Sequence, residues 1–267
     1  MIDGEPISQQ SIAEIVGQLL IDFTGEVPPF NNDLLLPIID TLGHCPDQYI
    51  VSEFQVFNVL KQLDTNKAVL FDCIDNSLLR VLAPCLSAPI CALINSSIAL
   101  GCVPSQWRLS RIALVPKVKP VTDLTKDLRP IAITCPVSKI VEYFVDSYFS
   151  DYFTDYIDDD QFGNTKGRST LSALIVLTHS LFNGSDDAHN FVRVLFVDFR
   201  KAFELIDHTV LFQKLNQYNC LNHLKLWLMS FLTNRAQFIK IGNNYSPILN
   251  SHAGAPQGTR AGPTPSR

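Results

Sequence analysis

Phe196-Val197-Asp198-Phe199-Arg200-Lys201-Ala202-Phe203 is where this chain passes from burial to chemistry. The apolar residues Val192, Val194, Leu195, Phe196 and Val197 lead into a single carboxylate, and an aromatic follows five residues after it. A short, nearly continuous apolar run predicts a strand over residues 190–199 buried on both faces. Its closing carboxylate would then emerge at the rim of a sheet, where a metal-binding oxygen could sit. Taken alone, a strand-ending Asp is more simply a cap on the next element. The rest of the chain decides between the two.

Working outward, Ser246 to Asn250 and Ala236 to Ile241 bracket Gly242-Asn243-Asn244, which predicts a hairpin. Residues 208–219 and 221–233 read as helices, as does the stretch from Ser169 to about Phe182. Pro136 opens a helix whose apolar face is Val137, Ile140, Val141, Phe144, Val145, Tyr148, Phe149 and Tyr152. Before it, Ser110 to Pro116 and Leu128 to Thr134 are apolar runs joined by a charged turn, a second predicted hairpin. Upstream the character is helical. Asn76 caps a region interrupted at Pro84 and Pro89 and stopped at Gly101, and Ser52 with Gln55 forms a capping box for a helix reaching about Leu63. Ile12, Ile15, Val16, Leu19 and Leu20 share one face of an N-terminal helix, followed by a Pro- and Asn-containing loop. The order gives an α+β fold, with a helical N-terminal extension over 1–105 and a second unit over 106–267.

Composition supports a folded protein. Hydrophobic residues make up 46% of 267 and charged residues 18%, enough for a core and too little charge for general disorder. The net charge of -5 is unevenly spread: residues 1–105 hold 3 basic and 12 acidic side chains, residues 106–267 hold 18 and 14. Within 106–140 seven basic residues face two acidic ones, a footprint suited to phosphate. The seven cysteines include no Cys-x-x-Cys pair, and His44-Cys45 has no second pair at ligand spacing, so reduced thiols of an intracellular protein are expected rather than zinc or a disulfide framework. The acidic, polar N-terminus does not read as a signal peptide. The segment from Leu78 to Cys102 carries Arg80, Pro84, Pro89 and Asn95, which argues against a membrane span.

Three further segments accompany Asp198. Ala255-Pro256-Gln257-Gly258-Thr259 follows it by some sixty residues. Trp107-Arg108 through Val115-Pro116-Lys117, then Asp127-Leu128-Arg129-Pro130-Ile131, forms the basic hairpin, continued by Ser138-Lys139-Ile140-Val141-Glu142. Gln161-Phe162-Gly163-Asn164-Thr165-Lys166-Gly167-Arg168-Ser169-Thr170 precedes a helix N-terminus, a favourable place for phosphate. In this order and spacing the chain resembles the reverse transcriptases of non-LTR (LINE-like, jockey-type) retrotransposons.

The resemblance implies right-hand polymerase fingers and a partial palm, and RNA-directed DNA synthesis from an RNA template, a DNA primer and deoxynucleoside triphosphates. It implies that Asp198 is the catalytic, metal-binding carboxylate for a pair of Mg ions, assisted by the Phe199 carbonyl. Two ions about 3.5–4 Å apart would stabilise the attacking and leaving oxygens of nucleotidyl transfer. Phe203 would be the steric gate against a 2′-hydroxyl. Lys117 and Arg129 would meet the triphosphate, Gln257 and Gly258 would lie beside the nucleotide, and Lys166 and Arg168 would contact nucleic acid. Glu204 stands where the family usually has Asp. Asn164-Thr165 replaces Phe-Arg, and the turn after Asn66-Lys67-Ala68 has lost its Gly and Pro residues.

The family's aromatic-x-Asp-Asp hairpin, source of the other carboxylate, is not found after Gln257. Tyr156-Ile157-Asp158-Asp159 matches literally but precedes Asp198 and reads as an acidic loop. The expectation is therefore a polymerase-like chain cut short of a complete catalytic centre, inactive in primer extension by itself. Two alternatives accompany it: a non-catalytic RNA-binding or domesticated interaction protein, and a degenerate copy without stable structure.

Overall fold

A computed structural model describes residues 8–22, 24–25, 27–67, 74–124, 127–165, 167–185, 191–199 and 201–260. Helix α1 (Gln9–Asp22) is followed by a 3-10 turn and the short α2 (Leu36–Asp40). Then come α3 (Glu53–Lys61), α4 (Asn76–Val81) and α5 (Ala83–Ala99). Strands β1 (Leu109–Pro116) and β2 (Leu128–Ile133) precede α6 (Pro136–Phe153) and α7 (Thr170–Ser185). Helices α8 (His208–Asn216) and α9 (Asn222–Leu232) lead into β3 (Arg235–Ile241), β4 (Asn244–Tyr245) and β5 (Leu249–Ser251). The mixed helix-and-sheet class is the one expected.

Local signals set most boundaries. Ser52 Oγ accepts the Gln55 N–H while Gln55 Oε1 accepts the Ser52 N–H, so the capping box on α3 is present. At α4 the cap is Asp75, whose carboxylate accepts the Leu78 N–H, and the Asn76 cap is corrected by one residue. A carboxylate there also favours the positive end of the helix dipole. The break between α4 and α5 falls at Leu82, Pro84 sits in the first turn of α5, and Pro89 is carried inside that helix. Gly101, at φ 56°, ends the region as expected.

The helices build one large core. Trp227 and Phe231 of α9 stack at 5.3 Å, and Trp227 Nε1–H donates to Ser97 Oγ of α5 at 3.0 Å. Val56, Leu60, Ile94, Ile98, Ile140, Val141 and Phe149 complete it, so one core draws on residues from both sides of position 105.

The sheet positions the site. β1 and β2 pair antiparallel from Arg111↔Ile133 to Pro116↔Leu128, the hairpin read from the sequence. β1 also pairs parallel with β3, Leu109↔Ala236 to Ile112↔Ile239, a long-range ladder the local pattern could not announce. β3 pairs antiparallel with both β4 and β5, so the predicted return strand is split and Asn244 belongs to a strand rather than to the turn. Ala13 and Val16 of α1 pack on Ile112, Ala132 and Ile239, a second and smaller core.

One expectation is overturned. Residues 191–199 form no strand; Phe191, Phe196 and Phe199 are 95%, 79% and 80% exposed. A run apolar on both faces becomes a strand only when ladders flank it and layers cover it. No described strand pairs with this segment. Helix α7 beside it in sequence likewise buries none of its described residues. Residue 190, the turn at 68–73, Lys166, Arg200 and the tail 261–267 lie outside the described residues.

Candidate functional site

Six of the residues singled out in the sequence line one cavity. Lys117 and Arg129 come from the β1–β2 hairpin, Asp198, Phe199 and Phe203 from the stretch before α8, and Gln257 from the segment after β5. The cavity measures about 470 Å³, within the range of small-molecule sites. Lys117 sits at the hairpin mouth, where its N–H donates to Asp127 O at 2.7 Å. The Asp127 carboxylate accepts the Thr122 and Asp123 N–H groups, which hold its carboxyl below the usual range. These bonds tie Lys117, Thr122 and Asp123 to Asp127.

The Asp198 side of the cavity is clasped to the Gln257 side. Ala255 N–H donates to Phe203 O at 2.7 Å and Gly254 N–H to Ile206 O at 2.9 Å. Gly254 has φ 82°, and a Cβ there would lie 2.6 Å from Glu204 O and 2.7 Å from Phe203 O. Glycine alone permits this approach. His208 Nε2–H donates to Gly254 O at 2.8 Å, and burial pushes the His208 imidazole below its ordinary value of 6.5. Gln257 Nε2–H donates to Glu204 Oε1 at 2.6 Å, and Gln257 O accepts the Ala132 N–H of β2 at 2.7 Å. The turn thus covers the β2 edge. Gly258, at φ 94°, packs against Ile131, which a Cβ would meet at 2.9 Å.

Helix α1 contributes a wall the sequence reading did not assign to the site, through Val16, Leu19 and Leu20. A smaller cavity of about 70 Å³ shares Leu20, Pro130, Glu204 and Gln257 with it and reaches Arg235. Arg235 is buried; it donates to Phe231 O at 2.9 Å and Ser110 Oγ at 2.7 Å, and burial pushes it down to about 10 while Glu142 holds it up.

Arg168 is placed apart from this cavity. Its guanidinium donates to the Asp158, Asp159 and Gln161 carbonyls and meets the Asp159 carboxylate at 3.1 Å. Tyr156 to Asp160 is accordingly an acidic loop closed on Arg168. Lys166 lies outside the described residues. Glu204, Gly254 and the α1 leucines were missed as site residues. Of these only Gly254, a glycine just before Ala-Pro-Gln-Gly, left a legible signal.

Oxygen donors for divalent ions are few here. Among the described residues Asp198 and Glu204 are the carboxylates lining the cavity, and Glu204 is engaged by Gln257. Among the described residues no group of three or more His, Cys, Asp or Glu could hold a metal ion. This set fits part of one ion's ligation and does not fit a pair.

The cavity thus sets Lys117, Arg129 and Lys201 among apolar side chains, with the Asp198 segment and the Gln257 turn on its border. The chain belongs to the reverse transcriptase (RNA-dependent DNA polymerase) family, whose family model matches residues 115–266. It is 25% identical over 211 residues to a "Probable RNA-directed DNA polymerase from transposon BS" of Drosophila melanogaster, covering 78% of this chain and 23% of that protein. It is 27% identical over 211 residues to the corresponding protein from transposon X-element, with the same coverage. It is 25% identical over 232 residues to the "RNA-directed DNA polymerase from mobile element jockey", covering 82% and 25%; all three are from Drosophila melanogaster. The chain spans about a quarter of the length of these curated relatives. The family uses divalent metal ions. No helix among the described residues is long and apolar enough to cross a membrane.

Proposed function

We propose that this chain is the nucleotide-binding portion of a non-LTR retrotransposon reverse transcriptase, built as fingers and part of a palm over 106–267, with 1–105 as a helical extension. The observation that carries the reading is the convergence of Lys117, Arg129, Asp198, Phe203 and Gln257 on one cavity. The cavity takes a deoxynucleoside triphosphate. Arg129 offers forked donors to phosphate oxygens and Lys117 a mobile point charge. The Phe203 ring fills the space a 2′-hydroxyl would need, and Gln257, fixed by Glu204, borders the base and sugar. Asp198 contributes one carboxylate oxygen set to a metal ion accompanying the triphosphate. When bound, divalent ions neutralise the triphosphate and activate the attacking hydroxyl. The complete pair needs carboxylates beyond those lining the cavity.

The test is equilibrium titration with a fluorescent deoxynucleoside triphosphate in Mg²⁺. Lys117→Ala and Arg129→Ala should each weaken binding about tenfold or more, the worth of a charge-assisted hydrogen bond. Phe203→Ala should narrow the preference for deoxy- over ribonucleotide. Binding indifferent to all three substitutions would remove the reading.

A second reading, RNA binding without catalysis, is favoured by one feature: Lys117, Lys119 and Arg129 are exposed on the hairpin. Phosphate contacts of this kind predict an RNA affinity that falls with added salt, and salt-insensitive binding would contradict it.

A further inference from the structure

Glu142 is a charged residue with no exposure at all, on the α6 face turned toward the Pro-Gln-Gly turn. Burying a carboxylate is costly unless its oxygens are met by donors. Ser138 Oγ–H, one turn earlier on the same helix, donates to Oε1 at 3.0 Å. The Oε2 oxygen accepts the backbone N–H of Arg260 at 2.9 Å, across 118 residues of chain. The next residue of α6, Tyr143, offers its ring to the Arg260 guanidinium at 4.8 Å. One helix therefore grips both the backbone and the side chain of Arg260.

Residues 256–260 are fixed at three further points. Gln257 O is held by the β2 edge at Ala132, the Gln257 side chain by Glu204, and Thr259 Oγ1–H folds back to Pro256 O at 2.9 Å. The first two bonds locate Gln257, and the third closes the turn on itself. The bond to Glu142 ties the downstream end of the turn to a helix of the main core, so the pitch of Gln257-Gly258 against the cavity depends on it.

We infer that Glu142 is a positioning residue, whose buried carboxylate sets the Gln257-Gly258 turn at the wall of the nucleotide cavity through the Arg260 N–H. The inference rests on the nucleotide-site reading above. Glu142 touches no substrate; it acts on Gln257 through the backbone. Beside balancing the nearby Arg235 and Lys139 charges, the carboxylate holds the Arg260 N–H directly.

The test pairs hydrogen exchange of the 256–260 backbone with titration of a fluorescent deoxynucleoside triphosphate in Mg²⁺, on the full chain. Glu142→Ala should speed exchange at Arg260 and weaken the nucleotide about tenfold, while peptides from α9 stay protected. Glu142→Gln, which keeps an oxygen acceptor, should recover most of both. Ser138→Ala removes the hydroxyl donor to Oε1 and should change stability without moving affinity by more than about twofold. Should Glu142→Ala not fold, the bond is cut from its exposed end instead. Arg260→Pro deletes the N–H and should weaken the nucleotide, whereas Arg260→Ala keeps it, loses only the Tyr143 ring contact and should weaken the nucleotide less. Wild-type binding that neither Glu142→Ala nor Arg260→Pro alters overturns the positioning role alone. A wild-type chain with no measurable nucleotide affinity overturns the nucleotide site and this role together, whatever the exchange at Arg260.

Discussion

The Gln257 side-chain amide donates to the Glu204 carboxylate across 2.6 Å, joining segments 53 residues apart. The two residues belong to two of the four segments that carried the family resemblance, and the bond joins them. Glu204 stands where the family usually has Asp. Its extra methylene has a specific use, since it brings the carboxylate to the amide that borders the cavity.

Shortening that arm tests the point. Glu204→Asp should withdraw the acceptor and lower stability by about 1 kcal/mol, the net worth of such a bond. Urea unfolding measures it. An unchanged midpoint, together with unchanged protection of the Gln257 side-chain amide, would mean that the bond contributes nothing.

Gly254→Ala should be more damaging. The new Cβ would meet two carbonyl oxygens at 2.6 and 2.7 Å on a backbone at φ 82°. Left-handed strain alone costs about 1–2 kcal/mol, and the clash must open the clasp between Phe203 and Ala255 as well. Thermal unfolding should show a loss of roughly 2 kcal/mol or more. A loss under that of an ordinary surface substitution would place the backbone elsewhere.

Acid should loosen the same clasp. His208 is held neutral by burial, its imidazole pushed below 6.5 against the opposing pull of the Gly254 carbonyl and Asp207, with Arg235 adding to the depression. The unfolded chain takes up the proton first as pH falls. The stability tied to His208 is therefore full above pH 6.5 and is lost as pH drops through the window beneath it. Urea midpoints between about pH 5 and 8 should fall toward acid, and His208→Gln should flatten that slope. A slope unaltered by the substitution would assign it to the carboxylates.

The exposed run before Asp198 makes an opposite prediction. Phe196→Ser should leave stability within about 0.5 kcal/mol, whereas Phe231→Ala, in the core of α9, should cost about 3–5 kcal/mol. Limited chymotrypsin digestion should cut within 191–199 before it cuts α9. A large destabilisation by Phe196→Ser would restore the buried strand.

Legibility followed the range of the interactions involved. The capping box at Ser52, the Pro136 helix start, the Gly101 stop and the 109–133 hairpin are set by neighbours a few residues away, and the sequence displays them. The parallel pairing of Leu109 to Ile112 with Ala236 to Ile239 is set by packing across more than a hundred residues, which periodicity does not carry. The strand read over 190–199 failed for a related reason. Its apolar pattern records what the segment can bury, and burial requires partners that the described chain does not place beside it. The cavity-lining residues were found through motif order. The α1 wall escaped because it joins the cavity through surface shape, and Glu142 because its contact with Arg260 spans 118 residues of chain.

Photocrosslinking tests the central claim most directly. An azido-deoxynucleoside triphosphate bound in Mg²⁺ should leave adducts, mapped by mass spectrometry, on the hairpin around Lys117 and Arg129 and on the segments holding Phe203 and Gln257. Unlabelled deoxynucleotide should compete them away. Adducts confined to other surfaces, such as the polar cleft of about 410 Å³ lined by His44, Gln48 and Asn222, would contradict the assignment of the cavity.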